Sequence, residues 1–408
     1  MDKNEVLKYY YGYDKLKTEQ EKIIDSILSG NDTIGILPTG FGKSVCFQIP
    51  ALILSGITIV ITPLISLMQD QVNNLKKKHI EAEYINSLLS YDEQEVIYEK
   101  IRNGSVKLLY VSAERLKNNE FKRIISSVEV SLIVCDEAHT LLWSEDFRFS
   151  LAEIPTFINM LKNRPYIMAL TATSTDTTTR KIISLLNMKN PNIISFDCDR
   201  KNIFYKVINT NNKDRDLYFY LKDKKDIHGI IYCLTINHVI HVSDFLKSKG
   251  FNVSIYHGSL DSKEKKYIQD KYTKNNIKII VATNAFGMGI DIPDIRYVIE
   301  YDIPQSIEDF SQQVGRASRD GKYAEGVILF NLNDRKTIEY FIDNIEENNR
   351  SKKELDIVKT SKYKKLDNVI KMCMTNTCIH KYVSNYFGMK HSDRCNMCSN
   401  CKRSKFIF

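Results

Sequence analysis

The stretch Thr33-Ile34-Gly35-Ile36-Leu37-Pro38-Thr39-Gly40-Phe41-Gly42-Lys43-Ser44 runs an apolar strand into a glycine-rich turn that ends on Lys-Ser. A turn of this kind between a strand and a helix aims backbone N–H groups at phosphate oxygens, and the helix N-terminus adds partial positive charge. Thr39, Gly40 and Gly42 would shape the cradle, Lys43 would reach the β- and γ-phosphates, and the Ser44 hydroxyl would ligate Mg²⁺. Alone, such a run can be an ordinary turn with a chance lysine. Here it is followed by Asp136-Glu137-Ala138-His139, directly after the apolar run Ser131–Cys135, which reads as a buried parallel strand. Asp136 can hold the same Mg²⁺, and Glu137 can orient or deprotonate an attacking water. Together, and in this order, the two signatures predict a motor that hydrolyses a nucleoside triphosphate with Mg²⁺.

Composition agrees with such a class. The chain has 408 residues, enough for two or three domains, and is 43% hydrophobic and 26% charged, normal for a globular protein. No stretch approaches the roughly 20 apolar residues that span a bilayer, so no membrane partner is expected. Met1-Asp2-Lys3-Asn4-Glu5 carries charges of both signs and no apolar core, which argues against a secretory signal. The expected location is intracellular, in the cytoplasm and nucleoid or the nucleus. Nine cysteines in such a chain favour metal or buried thiols over disulfides. Cys46, Cys135, Cys198 and Cys233 are scattered, whereas Cys373, Cys378, Cys395, Cys398 and Cys401 crowd the end. Net charge is +8, yet residues 351–408 alone carry thirteen Lys/Arg against four Asp/Glu. A basic segment appended to a near-neutral body is the electrostatic footprint of a polyanion binder. The plainer reading is a solvated basic tail, which the local density of Cys and aromatics disfavours.

Apolar strands at Thr33–Leu37, Thr58–Ile61, Lys107–Val111, Leu132–Cys135 and Tyr166–Leu170 alternate with helical stretches such as Pro63–Lys78 and Thr175–Leu186. That is a βα alternation building a mostly parallel sheet. The phosphate loop, Asp136–His139 and Thr171-Ala172-Thr173 all follow strands, at the carboxyl edge where such sheets bind ligands. A second block places strands at Gly229–Cys233, Val253–Tyr256, Lys278–Ala282, Arg296–Ile299 and Gly326–Phe330. Ser195–Asn212 reads as the linker between the blocks. A helical Asp343–Lys365 leads into the Cys-rich end, where Asp367–Phe387 reads as one helix carrying Cys378.

In order and wording these motifs resemble those of the superfamily 2 helicases, and in particular the RecQ DNA helicases, from about Tyr11 to Cys401. Tyr11–Gln20 resembles RecQ motif 0, which implies that Gln20 reads the adenine edge while Tyr13 and Lys17 sandwich the base. Lys17 stands where the family usually has Arg, which weakens stacking. Thr62–Gln71 and Ser112–Leu116 are similar to motifs Ia and Ib, implying that Ser66, Gln69 and Arg115 meet the backbone of single-stranded DNA. Thr171–Thr173 resembles motif III, Ala282–Asp291 motif V and Gln312–Gly321 motif VI, which adds Asp291 and Gln312 to the nucleotide-binding set. Trp143-Ser144-Glu145-Asp146-Phe147-Arg148-Phe149 resembles the aromatic-rich loop that couples DNA to the ATPase. A base stacked on Trp143 or Phe147 is worth about 1–3 kcal/mol in any sequence context, and Arg148 would bind phosphate or signal to the nucleotide. Read without the resemblance, Trp143 and Phe147 are as readily core residues on one helical face.

Arg316 and Arg319, three apart on an expected helix, would share a face, and their guanidinium forks suit the charge that spreads over a transferring γ-phosphoryl group. The plainer reading is two surface arginines. Ser318 stands where the family usually has Gly. His139 is expected to couple the nucleotide to the second lobe. Cys378, Cys395, Cys398 and Cys401 form C-x16-C-x2-C-x2-C, a set that suits tetrahedral Zn²⁺ and matches the RecQ zinc module. Cys373 reads as a packing thiol; His380 and His391 could substitute as ligands, the plainer reading being solvated or packed histidines.

The expected architecture is α/β. Two tandem RecA-like domains, at 1–198 and 199–345, carry parallel sheets flanked by helices and precede a small helical zinc-binding module at 346–408. The resemblance implies a 3′-to-5′ ATP-dependent DNA helicase acting on single-stranded and tailed duplex DNA in repair, recombination or replication, with ATP, Mg²⁺ and Zn²⁺. Because the sequence stops after the zinc cysteines, a minimal form is expected, without the winged-helix and HRDC domains. Either the core would then unwind alone, or a protein partner would supply the strand-separating wedge, or the chain would act as a translocase that strips proteins or anneals strands. An RNA-directed DEAH motor and a non-enzymatic DNA-binding scaffold are the competing classes.

Overall fold

Ile57–Ile61, Leu108–Val111 and Val130–Cys135 are near-continuous Ile, Val and Leu runs, and each becomes a strand that is almost wholly buried. That composition suits a parallel sheet covered on both faces. The computed structural model describes residues 1–38, 40–62, 65–86, 89–139, 153–172, 174–196, 199–287, 292–345 and 352–403. The chain divides into two compact units, Met1–Cys198 and Asp199–Phe408.

The first unit holds β1 (Thr33–Ile36), β2 (Ile57–Ile61), β3 (Ala82–Ile85), β4 (Leu108–Val111), β5 (Val130–Cys135), β6 (Tyr166–Thr171) and β7 (Asn192–Ser195). They form a parallel sheet in the order β3-β4-β2-β5-β6-β1-β7. Successive residues serve opposite faces, as a strand's period of two requires. Ile59, Ile61, Ile133 and Cys135 pack into one apolar layer, while Val60, Leu132 and Val134 pack into the other. The short β3 and β7 escaped the sequence reading, and β7, with Asn192 and Ser195 at its ends, is a largely exposed edge.

The second unit holds β8 (Ile203–Asn209), β9 (Gly229–Tyr232), β10 (Val253–Tyr256), β11 (Ile279–Ala282), β12 (Tyr297–Glu300) and β13 (Ala324–Phe330), parallel and ordered β10-β11-β9-β12-β13-β8. The expected linker at Ser195–Asn212 thus contains an edge strand, β8. Seven residues of β8 pair with β13, and its other side meets the Cys-rich end. Tyr205 bridges to Cys398, and the Tyr205 N–H donates to the Met397 carbonyl at 3.0 Å. Ile203, Tyr205 and Val207 share one apolar cluster with Leu366, Val369, Cys373, Ile379, Val383 and Phe387. Cys373 is buried there as a packing thiol. The single helix expected over Asp367–Phe387 is two helices, Lys352–Met374 and Ile379–Tyr386. Hydroxyls that compete for backbone groups break it: Thr375 Oγ1 accepts the Thr377 N–H at 3.2 Å.

At the amino edge of the first sheet, the fully buried Asp32 carboxylate gathers three segments. It accepts from Arg164 Nη1 at 3.1 Å, from the Ile167 N–H at 3.0 Å and from the Lys189 N–H at 2.7 Å. Asp32→Ala leaves two backbone donors and a guanidinium without their acceptor. The expected cost is about 3 kcal/mol or more, or roughly 6–12 °C in the melting temperature of this unit. Circular dichroism melting of the variant checks this, and a shift under about 2 °C would refute it.

Candidate nucleotide site, arginine turn and thiolate cluster

The chain leaves β1 through Gly40 (φ +78°) and Gly42 (φ +87°) into the helix Lys43–Ile53. Gly42 is demanded twice, by its left-handed backbone and by Gln20, whose Nε2 would lie 2.8 Å from an added Cβ. The buried Gln20 amide donates to the Phe41 and Gly42 carbonyls at 3.0 and 3.2 Å, and its Oε1 accepts the Lys17 N–H at 3.0 Å. Lys17 Nζ donates to the Phe41 carbonyl at 3.2 Å and lies 4.3 Å from the Phe41 ring centre. Gln20 and Lys17 therefore brace the phosphate loop, while Tyr13 stands out at 62% exposure. Thr39 lies outside the described residues.

Lys43 Nζ meets Glu137 Oε1 at 2.9 Å, with both side chains largely shielded from solvent. Asp136 directly follows β5 and is buried; its Oδ1 accepts the Glu137 N–H at 2.9 Å. Burial, with the Glu137 charge added, pushes the Asp136 carboxyl up to about 6, against the opposing pull of Lys43. Glu137 adopts φ +48°, a conformation that costs a non-glycine residue of order 1–3 kcal/mol. His139 Nδ1 contacts Thr171 Oγ1 at 2.8 Å and lies 3.5 Å from Glu137 Oε2, tying the Asp136–His139 segment to the end of β6. Ser44 carries a connection that the sequence reading missed. Its Oγ accepts from Gln71 Nε2 at 3.3 Å, Gln71 Oε1 accepts from Gln48 Nε2 at 3.2 Å, and Gln48 Oε1 accepts from the Tyr11 hydroxyl at 2.8 Å. A buried carboxylate beside a second one, a hydroxyl held in place and a lysine are a donor set that fits Mg²⁺ on a nucleotide phosphate.

Of the residues expected to meet DNA, Gln69 lies on the helix Ile65–Lys76 and Arg115 on the short helix Ala113–Lys117, after the neighbouring strands β2 and β4. Gln69 Nε2 lies 3.5 Å from the Tyr84 hydroxyl, and Arg115 Nη2 donates to the Asn86 carbonyl at 3.2 Å. Ser66 shares the helix with Gln69. Trp143, Phe147, Arg148, Thr173 and Asp291 lie outside the described residues.

In the second unit the helix Ile307–Val314, which carries Gln312, stops at Gly315. Arg316 and Arg319 therefore belong to the turn after the helix, not to a helical face as expected. Arg200 holds that turn. Its guanidinium donates to the Gly315 carbonyl at 3.0 Å, Ala317 at 3.0 Å and Ser318 at 2.8 Å. No sequence pattern pointed to Arg200. Arg316 is buried, and its Nη1 donates to the Gly287 carbonyl; a Cβ on Gly287 would lie 2.3 Å from Arg316 Nε. Ser318 sits at φ +54° with its hydroxyl donating to the Lys322 carbonyl and accepting from Asn202 Nδ2 at 2.6 Å. Those bonds explain how a serine holds a left-handed position that suits glycine.

Cys378, Cys395, Cys398 and Cys401 bring their sulfurs within 4.8 Å of one another. The Cys395–Cys401 and Cys378–Cys398 separations are 3.9 and 4.0 Å. These are far from the roughly 2.05 Å of a disulfide and near the ~3.8 Å edge of a tetrahedron with metal–sulfur bonds of ~2.3 Å. The Met397 N–H donates to Cys395 Sγ at 3.2 Å and the Lys381 N–H to Cys378 Sγ at 3.4 Å, as thiolates would require. Cys378 is the cap of Ile379–Tyr386, and Cys401 lies on the short helix Ser399–Arg403 instead of a loop. The donor set fits Zn²⁺. No helix among the described residues is long and apolar enough to cross a membrane.

Three family profiles match successive stretches of the chain. The DEAD/DEAH box helicase profile matches residues 17–182, the helicase conserved C-terminal domain 212–321, and the RecQ zinc-binding profile 332–402. The chain is 38% identical to the ATP-dependent DNA helicase RecQ of Bacillus subtilis, over 97% of its own length and 66% of that protein's. It is 36% identical to a putative ATP-dependent RNA helicase of Acanthamoeba polyphaga mimivirus, covering 97% and 71%. The fold matches that of Saccharomyces cerevisiae Dbp5 bound to RNA and ADP BeF3, with a TM-score of 0.67 at 18% identity over 89% of this chain and 97% of that one. The chain spans 62–66% of the length of its first three bacterial relatives.

The raised Asp136 carboxyl has a consequence for stability. A carboxyl whose folded value lies above its unfolded value (~3.9) favours the fold fully below pH ~4 and loses that advantage as pH rises through about 6. Asp136→Asn removes the buried charge. The nucleotide-free variant is expected to melt higher than the parent at pH 7.5 and to show a smaller gain, about half, at pH 5. Paired melting curves at the two pH values check this, and an equal gain at both would exclude the buried charge as the cause.

Proposed function

We propose, taking as premise that the chain belongs to the RecQ family of helicases, that it works as an ATP-dependent DNA helicase core moving 3′ to 5′ along single-stranded DNA and parting duplex ahead of it. The observation that carries the reading is the Lys43–Glu137 pair beside buried Asp136, at the carboxyl ends of strands in one parallel sheet.

The roles follow from the contacts. Without nucleotide, Lys43 and Glu137 neutralise each other. When the phosphates of ATP draw Lys43 away, Glu137 is freed to orient the attacking water and take its proton. Mg²⁺, held through Ser44 and Asp136, would supply charge neutralisation for the phosphates. Gln71 keeps the Ser44 oxygen pointed by donating to one lone pair and leaving the other for the ion. His139, through Thr171, passes a shift of Glu137 to the end of β6. Arg316 and Arg319 are assigned the charge that develops on the transferring phosphoryl group. Gln20, Lys17 and Tyr13 are assigned the base, and Asp291 and Gln312 supporting contacts to nucleotide. Ser66, Gln69, Arg115, Trp143, Phe147 and Arg148 are assigned the DNA, and the four thiolates a structural Zn²⁺. The mimivirus relative's name favours a second reading, an RNA-directed motor.

Strand displacement on a 3′-tailed DNA duplex, with ATP hydrolysis recorded in the same tubes, separates these readings. DNA-stimulated hydrolysis and displacement, both lost in Glu137→Gln, are expected. Stimulation by RNA alone would establish the second reading, and hydrolysis without displacement would mean a translocase. Gly287→Ala is expected to push Arg316 out of place and to lower kcat at least about tenfold with KM for ATP little changed, as for a group that acts in the transition state. A Gly287→Ala enzyme with parental kcat would remove Arg316 from the chemistry.

A further inference from the structure

Beside the thiolate cluster lies a second group of metal-competent side chains. Asp199, His380 and His391 each offer one ligand atom, and the three atoms lie within 4.8 Å of one another. Their side chains are 4%, 0% and 9% exposed, so bulk water does not mediate between them. Asp199 opens the second unit, His380 lies on the helix Ile379–Tyr386, and His391 lies between that helix and Cys395.

The hydrogen bonds around the rings decide which nitrogens carry protons. His380 Nε2 faces two acceptors, the Ile203 and Met397 carbonyls, each at 3.1 Å. Carbonyls only accept, so this nitrogen is N–H and donates. His391 Nδ1 lies 2.7 Å from the Ser392 carbonyl and is N–H for the same reason. In neutral rings the other two nitrogens, His380 Nδ1 and His391 Nε2, then carry lone pairs. Both point at one carboxylate. His380 Nδ1 contacts Asp199 Oδ1, and His391 Nε2 lies 3.0 Å from Asp199 Oδ2. Two lone pairs against a buried carboxylate repel unless a positive species sits among them. Distal N–H groups anchored on backbone carbonyls, with proximal nitrogens converging beside a carboxylate, are the outer shell that metal-bound histidines carry. Tyr205, stacked on His380 at 3.9 Å between ring centres, fixes that ring's plane.

We propose that Asp199, His380 and His391 form a second metal site, distinct from the four thiolates, that binds a divalent first-row ion of the Zn²⁺ class. Two imidazole nitrogens and one carboxylate oxygen are borderline donors suited to such an ion, and three protein ligands leave a position open for solvent. The ion clasps the first residue of the second unit to the Cys-rich segment, next to the Tyr205–Cys398 bridge.

The test is zinc stoichiometry by elemental mass spectrometry on the full chain, purified without chelator and equilibrated with Zn²⁺ before desalting. The parent is expected to hold two zinc ions per chain. His391→Gln and Asp199→Asn are each expected to hold one, while Co²⁺ exchange still gives the intense thiolate-to-cobalt band that shows the Cys cluster folded. Cys395→Ser is expected to lose that band first. One ion in the parent would overturn the proposal and leave a carboxylate bridged by protonated rings. Two ions in the parent and in both variants would also overturn it, by placing the second ion elsewhere.

Discussion

A buried carboxylate with a second, partly exposed one beside it at the end of a strand is the constraint to which the first unit answers. Asp136 and Glu137 repel each other, and burial already penalises the Asp136 charge. One lysine, reaching from the helix after β1, offsets part of that repulsion. The fold supplies the rest of the frame: the Glu137 backbone is forced left-handed, His139 is tied to β6, and Ser44 is anchored through Gln71 and Gln48 to the first helix. The sheet order β5-β6-β1 brings these parts together. A site built this way is less stable than its surroundings and gains by taking up a cation and a phosphate.

The second unit solves a different problem, that of presenting two arginines from a turn. A turn has no ladder to hold it, so three of its carbonyls converge on Arg200, and its one left-handed serine is bonded at the hydroxyl. The guanidinium fork suits this, since it offers several donors in a fixed plane.

How much of this was legible in the sequence follows from physical scale. The buried strands and the phosphate loop depend on local pattern, and residues such as Ile57–Ile61 and Gly40–Ser44 declared them. The edge strand β8 did not declare itself, because Ile203–Asn209 mixes apolar with polar residues and abuts the loop-like Thr210, Asn211 and Asn212. The helix break before Cys378 depends on two threonine hydroxyls, and the arginine turn on a guanidinium more than a hundred residues away. Distant partners of that kind leave no periodicity to read. The four-cysteine spacing was plain, while His380 and His391 looked ordinary, because only the fold sets Asp199 between them.

The partnership of β8 with the Cys-rich end bears on how the protein is made. Tyr205 and its bridge partner Cys398 are 193 residues apart. At a synthesis rate of about 5–20 residues per second, β8 leaves the ribosome about 10–40 s before its cover exists. For that interval Ile203, Tyr205 and Val207 lack the part of their apolar cluster that Leu366, Val369, Ile379 and Val383 supply. The nascent second unit is thus a natural client for chaperones, and closure of the cysteine cluster is among the last events that release it.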